Sequence, residues 1–167
     1  MRVPRTLGAY GVTIVLAMFG ASGMVRSCTP SPPAPAPAGA VSVEGCMAQV
    51  NAERSARGIP LVGFDARLAS AAQKHSAYQG SISTMTHTGS GGTTGGQRMR
   101  AEAYTWRTWG ENVAYGYGDC GAVMNGWMNS SAHKANIRNP KFTTIGMGVA
   151  IGADGNLYWT MDLAAPR

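Results

Sequence analysis

The sequence has few acidic residues, few histidines and no concentrated positive charge. Among 167 residues there are eight Asp or Glu and three His, against fourteen Lys or Arg. Three of the basic residues precede residue 41, so eleven basic and eight acidic residues remain after it, a formal charge of +3. These basic residues are scattered, whereas nucleic-acid binding requires a basic patch or stripe. We therefore expect no nucleic-acid partner.

The sequence also lacks the short motifs of the common hydrolases. It contains no His-Glu-x-x-His and no Gly-x-Ser-x-Gly segment. The glycine-rich stretch 89–97 is not followed by Gly-Lys-Ser/Thr, so it is predicted to be a loop and not a phosphate-binding motif. These absences leave the question of catalysis open and favour a protein that is not an enzyme.

Residues 1–28 have the pattern of an export signal or membrane anchor. Arg2 and Arg5 precede an apolar run from Thr6 to Val25, and positive charge before such a run directs the following chain across the membrane. The run is long enough to span a bilayer, so cleavage, retention as an anchor and lipidation at Cys28 all stay open. We expect an exported protein, extracellular or periplasmic, that meets the membrane only through this segment.

Residues 29–40 hold five of the nine prolines, which is typical of an extended spacer. The folded domain is therefore predicted to span residues 41–167 and to be a monomer. It contains Cys46 and Cys120, an even pair in a compartment where disulfides persist. We predict that these two cysteines form a disulfide.

Most of the folded part has the apolar periodicity of helices. The spacing predicts a helix over 43–57 that ends at Gly58, and a second helix capped by Asp65. A short helix is predicted over 98–103, and another is capped by Asp119. His75 lies on the inward face of the second helix, which favours a packed core histidine over a ligand.

The C-terminal part changes to strand periodicity. Apolar residues alternate with small ones from Ile145 to Ile151, and alternation returns from Leu157 to Leu163. Asp154-Gly155 between these runs is a strong hairpin signal. Helices followed by an antiparallel hairpin predict an α+β fold in which helices pack on a sheet.

The order of several short motifs resembles the bacterial branch of the CAP superfamily, the cysteine-rich secretory, antigen 5 and pathogenesis-related-1 proteins. The resemblance implies a three-layer α-β-α sandwich with a C-terminal antiparallel hairpin. Its motifs span nearly all of residues 43–164: Val50-Asn51-Ala52-Glu53-Arg54, Asp65-Ala66-Arg67-Leu68, Ala72-Gln73-Lys74-His75-Ser76, Thr86-His87-Thr88, Gly110-Glu111-Asn112-Val113-Ala114, Trp127-Met128-Asn129-Ser130-Ser131-Ala132-His133, Ala135-Asn136-Ile137, Ile145-Gly146-Met147-Gly148 and Tyr158-Trp159-Thr160.

In that family a surface cleft carries two histidines and two acidic residues that can hold a divalent metal. The matching residues here are His87, His133 and Glu111, and the second acid would fall near Asn129 or Ser130, neither of which is acidic. Imidazoles and a carboxylate suit zinc or a similar ion. We expect weak metal binding, with water in the remaining positions.

The resemblance leaves three functions open. The first is an exported binding module with a metal-capable cleft, which takes up a lipid or another small apolar ligand. The second is a metal-assisted hydrolase or peptidase in which Glu111 is the base and the histidines hold an activated water. The third is a cell-envelope interaction protein whose cleft is vestigial and whose partner is an envelope or extracellular protein.

Overall fold

The computed structural model describes residues 42–167, so the predicted export segment 1–28, its Cys28 and the spacer 29–40 lie outside the described residues. Five α-helices, four β-strands and one 3-10 turn follow one another in the described part. In chain order these are α1 Glu44–Ser55, β1 Gly63–Phe64, α2 Ala66–Ser81, the 3-10 turn Ser90–Gly92, α3 Gly95–Ala101, β2 Trp106–Tyr115, α4 Cys120–Asn129, α5 Ser131–Ile137, β3 Thr144–Ile151 and β4 Leu157–Pro166.

The four strands form one sheet in the order β1-β3-β4-β2. The short β1 pairs in parallel with β3, and the other two pairings are antiparallel. β3 and β4 form the predicted hairpin, and Gly155 at its turn has φ +78°, a left-handed conformation that glycine adopts without strain. β2 is an edge strand, and this edge carries the candidate site.

One face of the sheet is covered by α1, α4 and α5. Large side chains from these helices, among them Val50, Trp127 and Ile137, form one apolar cluster with the inward residues of β3 and β4. Cys46 of α1 and Cys120 of α4 form the predicted disulfide, with Cα atoms 5.0 Å apart. This layer is therefore held by apolar packing and by a covalent link.

The opposite face of the sheet is covered by α2 and α3. A side chain at Gly146 or Gly148 of β3 would overlap the backbone of α2 at Ala69 or Gln73. The glycines that alternate along β3 therefore allow α2 to pack directly on the strand. With helices on both faces of the sheet, the α-β-α sandwich is confirmed.

The helix caps follow the sequence closely. The side chain of Asp65 accepts a hydrogen bond from the Arg67 N–H at 2.9 Å, and Asp119 accepts one from Ala122 at 2.8 Å. α3 begins at Gly95 and not at residue 98, because Thr94 and Gln97 form a capping box just ahead of it. Among the helices of residues 42–167, none combines the length and the apolar character needed to cross a membrane.

A buried arginine fixes the end of α5. Arg54 of α1 is fully buried, and its guanidinium donates to the carbonyl oxygens of Ile137, Asn139 and Phe142 at 2.8–2.9 Å. Burial lowers the pKa of Arg54 from its ordinary value. One of these bonds satisfies the carbonyl of the last residue of α5, and the other two tie down the turn that follows the helix.

Candidate functional site

Glu111 is the centre of the candidate site. Its side chain on β2 is only 2% exposed, and its Oε1 accepts a hydrogen bond from His87 Nδ1 at 2.8 Å. Its Oε2 forms an ion pair with Nη2 of Arg98. Burial disfavours the charged carboxylate, but the His87 hydrogen bond and the Arg98 charge outweigh it and lower the pKa of Glu111. Glu111 is therefore ionised at neutral pH.

His87 lies in the loop that joins α2 to α3. The hydrogen bond to Glu111 raises the pKa of His87, although burial works in the opposite direction. Its side chain is 60% exposed, and because Nδ1 is engaged by Glu111, Nε2 is the ring nitrogen that remains for a ligand. The sequence prediction that His87 and Glu111 come together is consistent with this geometry.

Arg98 holds this half of the site together and was not among the predicted site residues. Besides its ion pair with Glu111, its Nη1 donates to the carbonyl oxygens of His87 at 3.1 Å and Thr93 at 2.9 Å. The guanidinium thus joins α3, β2 and the loop that carries His87. The available sequence signal was that Arg98 is the neighbour of Met99, a core residue of the helix that Thr94 caps.

His133 lies on α5 and is half buried. Asn112, the neighbour of Glu111 on β2, donates to the His133 carbonyl oxygen at 3.1 Å and accepts from Asn136 at 2.8 Å. Successive residues of a strand face opposite sides of a sheet. The Glu111 side chain therefore faces α3 on one side of the sheet, and the Asn112 side chain faces α5 on the other side.

The pKa of His133 is lowered by its surroundings. Burial lowers the pKa of His133, and the charge of His87 lowers it further. The imidazole of His133 is therefore neutral at pH 7, so one of its ring nitrogens can donate a hydrogen bond and the other can accept one.

Two cavities lie along β2, one for each histidine. The His133 cavity, of about 310 Å³, is lined mainly by apolar and aromatic side chains: Met85, Tyr115, Tyr117, Trp127 and His133, with Ser130. The His87 cavity, of about 330 Å³, is lined mainly by polar side chains and glycine: His87, Thr88, Thr94, Gly95, Trp109 and Glu111. Both volumes are at the lower end of the range for small-ligand sites.

A second acidic residue lies beside Glu111, but not where the resemblance placed it. Asp162 of β4 is directly opposite Glu111 in the strand pairing and is fully buried. Neither carboxyl oxygen has a hydrogen-bond donor within residues 42–167. Burial, together with the charge of Glu111, raises the pKa of Asp162 well above its ordinary value, which favours the neutral carboxylic acid. An acidic residue between Met161 and Leu163 in an apolar strand was the overlooked signal.

The predicted metal site stays a prediction. Within residues 42–167, no group of three or more His, Cys, Asp or Glu side chains is arranged to hold a metal ion. Both oxygens of Glu111 are already engaged, by His87 and by Arg98. Glu111 is therefore placed to orient His87, and metal binding by His87, Glu111 and His133 stays a prediction.

His75 is a core residue, as its position on α2 predicted. It is 1% exposed, and its Nε2 donates to the carbonyl oxygen of Thr86 at 2.8 Å. Burial lowers the pKa of His75, so its imidazole is neutral. Its contact with Thr86 supports the loop immediately before His87.

The fold and cleft define an α-β-α sandwich domain with a histidine–glutamate site at the edge of its sheet. Residues 47–163 match the sequence profile of the CAP, or cysteine-rich secretory protein, family. The chain therefore belongs to the CAP family.

The chain is also similar to individual proteins, in sequence or in fold. The uncharacterised protein YkwD of Bacillus subtilis is 31% identical over 110 residues, which are 66% of this chain and 42% of YkwD. A Bacillus anthracis structure, an extracellular protein containing an SCP domain, is 29% identical with a TM-score of 0.63, over 72% of this chain and 40% of that one. An outer surface protein of Borrelia burgdorferi is 21% identical with a TM-score of 0.69, over 76% of this chain and 97% of that one. The chain spans less than half the length of YkwD.

Proposed function

We propose that this protein is an exported binding module and that the His133 cavity takes up a small apolar ligand. The observation that carries the proposal is the exposed apolar surface around this cavity. Tyr115 is 51% exposed, Met85 47% and Tyr117 36%, and all three line it. Apolar side chains gathered at one cavity, with a few polar groups among them, are typical of a small-ligand site.

The lining defines the ligand chemistry. The neutral His133 imidazole, together with Ser130, offers hydrogen bonds to one polar group, and the aromatic walls cover an apolar body. Each methylene buried there stabilises the complex by about 0.8 kcal/mol. A cavity of about 310 Å³ suits one acyl chain segment or one compact ring system. The ligand class is therefore a fatty acid or a similar single-headed lipid.

The geometry favours binding over catalysis. A general base must reach the proton that it removes and must have a pKa close to the working pH. Glu111 is 2% exposed, is paired with both His87 and Arg98, and has a lowered pKa. These features make it a weak base, so the hydrolase alternative receives no support from its candidate base.

An NMR titration of the wild-type protein with dodecanoate tests the proposal. We expect saturable binding that shifts the NMR signals of Tyr115, Tyr117 and His133, and about tenfold weaker binding by Tyr117→Ser. The matched control is Phe64→Ser, because Phe64 is 60% exposed and does not line the cavity. No binding at millimolar concentration, or an equal loss in both variants, would contradict the proposal and favour the vestigial cleft.

The contact between Glu111 and His87 also favours weak metal binding as a second property of the cleft. A carboxylate that accepts from one ring nitrogen orients the other nitrogen toward an ion, as around many metal-bound histidines. A zinc titration of the natural protein at neutral pH, followed by calorimetry, should give weak binding that is lost in His87→Ala. Binding that His87→Ala leaves unchanged would place zinc elsewhere.

A further inference from the structure

We propose that the His87 cavity is a second binding site, for a neutral, hydroxyl-rich ligand such as a sugar residue packed against Trp109. This site is separate from the apolar cavity at His133, and the inference does not depend on the proposed function. It stands on three features: a preformed loop, a fixed aromatic side chain and hydrogen-bonding groups that the fold does not use.

The glycine-rich loop forms one wall, and its backbone is firmly hydrogen bonded. The Gly89 N–H donates to the Thr93 carbonyl at 2.8 Å, and the Thr93 hydroxyl donates to the Ser90 carbonyl at 3.0 Å. Gly91 and Gly92 have φ +67° and +79°, which side chains with a Cβ rarely adopt. The wall is therefore built before a ligand arrives, which reduces the entropy cost of binding.

Trp109 of β2 forms part of the opposite wall. A Cβ at Gly95 would lie 2.8 Å from Trp109 Cζ3, and a Cβ at Gly96 would lie 2.7 Å from Trp109 Nε1. The two glycines at the start of α3 are thus the reason that the indole can lie close against the helix. Trp106 packs edge-on against the same indole, with ring centroids 5.9 Å apart. The ring is held in one position while it lines the cavity.

The hydrogen bonding of Trp109 differs from that of the other three tryptophans. The indole N–H groups of Trp106, Trp127 and Trp159 donate to backbone carbonyls at 2.8–3.2 Å. Within residues 42–167, Trp109 forms no such bond. The indole N–H groups of three tryptophans are thus hydrogen bonded within the fold, whereas that of Trp109 stays available to a ligand.

The contacts around the cavity favour a neutral ligand, because the groups that would bind a separate ion are already engaged. The Glu111 carboxylate is compensated by Arg98 and by the hydrogen bond from His87. The start of α3 offers no anion site, because Thr94 already accepts from the Gln97 N–H and donates its own N–H to the Gln97 side chain. Glu111 therefore offers no free oxygen to a cation, and the start of α3 offers no free N–H to an anion.

The remaining groups match a sugar. His87 Nε2 and the exposed Thr88 hydroxyl offer hydrogen bonds at one side, and the indole offers an apolar surface at the other. Sugar hydroxyls both donate and accept, and the C–H face of a pyranose ring packs on an aromatic face. A purely apolar ligand would leave the polar lining unpaired, at a cost.

NMR titration of the natural protein with the trimer of N-acetylglucosamine, and separately with maltotriose, tests the proposal. We expect millimolar or tighter binding of at least one sugar, with the largest shift at the Trp109 indole N–H. Binding of the N-acetylglucosamine trimer alone would indicate a site that requires the acetamido group. Binding of both sugars would indicate a site for pyranose rings in general. Binding that shifts Tyr115 and Tyr117 instead of Trp109, or no binding of either sugar at about 50 mM, well above the millimolar range of weak complexes, would overturn the proposal.

Two variants sharpen this test. Trp109→Phe should weaken binding about tenfold through lost contact area and the lost donor, and Thr88→Val about threefold through one lost hydrogen bond. Thr105→Val is the matched control, because Thr105 is exposed but does not line the cavity. If Trp109→Phe does not fold, the comparison of Thr88→Val with Thr105→Val still tests the proposal. Equal sugar affinities of these two variants would overturn it. Dodecanoate binding should stay unchanged in Thr88→Val, which keeps this outcome distinct from that of the proposed function.

Discussion

The two halves of the cleft are held in place by different forces. The His133 half belongs to the layer of α1, α4 and α5, where an apolar cluster and the Cys46–Cys120 disulfide fix the helices. The His87 half lies in the layer of α2 and α3, where the Arg98–Glu111 ion pair and hydrogen bonds to backbone carbonyls fix a loop. Apolar packing tolerates changes of pH, whereas a network of buried charges depends on each of its members.

Because of this difference, the two halves suit different kinds of ligand. The apolar half presents exposed aromatic side chains and a neutral imidazole, which suit the apolar part of a ligand. The polar half presents an imidazole oriented by a carboxylate, in a cavity lined mainly by polar side chains and glycine. Stability and binding measurements should therefore respond differently to substitutions in the two halves.

The largest effect is expected from removing the disulfide. The two cysteines are 74 residues apart, for which the chain-entropy model gives about 4 kcal/mol. We expect the double variant Cys46→Ser/Cys120→Ser to lose about that much free energy of unfolding, measured by urea denaturation. The reduced wild-type protein is the control and should match the variant. A loss below about 1 kcal/mol would mean that apolar packing alone holds this half.

The next largest effect is expected at Arg98. Arg98→Met leaves the buried Glu111 carboxylate without its ion pair, and breaking such a pair costs about 3 kcal/mol or more. Arg100→Met on the same helix is the matched control. Arg100 is exposed and rests over the Trp106 ring at 4.4 Å, a contact worth about 1 kcal/mol at most. Equal losses in the two variants would show that the ion pair does not hold the polar half.

Much of the fold could be predicted from the sequence, because its signals are local. Asp65 and Asp119 cap helices within two or three residues, and Asp154-Gly155 forms a turn closed by the local hydrogen bond from the Gly155 N–H to the Gly152 carbonyl. β2 was not predicted as a strand, because its sequence from Trp106 to Tyr115 lacks a clean alternation. Its Glu111 and Asn112 face packed layers on both sides of the sheet, so tertiary contacts and not local pattern decide this element.

The site was predicted less completely than the fold. His87, His133 and Glu111 lie in motifs of the family resemblance, so they could be predicted. Arg98 and Asp162 belong to the site because they lie beside Glu111, which is distant from them in sequence. Asp162 meets Glu111 only because β2 and β4 pair in one particular register, and a shift by one residue would turn it to the other face. Such contacts depend on the register of the paired strands, which cannot be read from the type of one residue in the sequence.

An intermediate effect, with a defined pH dependence, is expected at Asp162. Because the pKa of Asp162 is raised in the folded state, the folded protein binds more protons, and stability falls as pH rises from about 3.9 through the raised pKa. Asp162→Asn mimics the neutral acid and should be more stable than wild type at pH 7, by on the order of 1 kcal/mol, since one pKa unit is worth about 1.4 kcal/mol. The gain should disappear near pH 3.

Asp154→Asn is the control for this prediction, with the opposite sign. Its hydrogen bond with Asn156 lowers the pKa of Asp154, so its contribution is present at neutral pH and is lost as pH falls. The variant should therefore be less stable than wild type at pH 7 and equal to it in acid. Thermal unfolding across this pH range measures both variants. A loss of stability in Asp162→Asn at pH 7 would mean that the charged form of Asp162 is required.

The smallest effect tests whether the two halves form one cleft. Burial lowers the pKa of His133 and the charge of His87 lowers it further, so His87→Gln should raise the His133 pKa. The effect of burial persists in the variant, so this pKa should stay below the ordinary histidine value of about 6.5. An NMR titration of the imidazole signals measures the change, with Thr88→Val as the control that keeps the His87 charge. A His133 pKa that is the same in His87→Gln and wild type would mean that the halves are electrostatically separate sites.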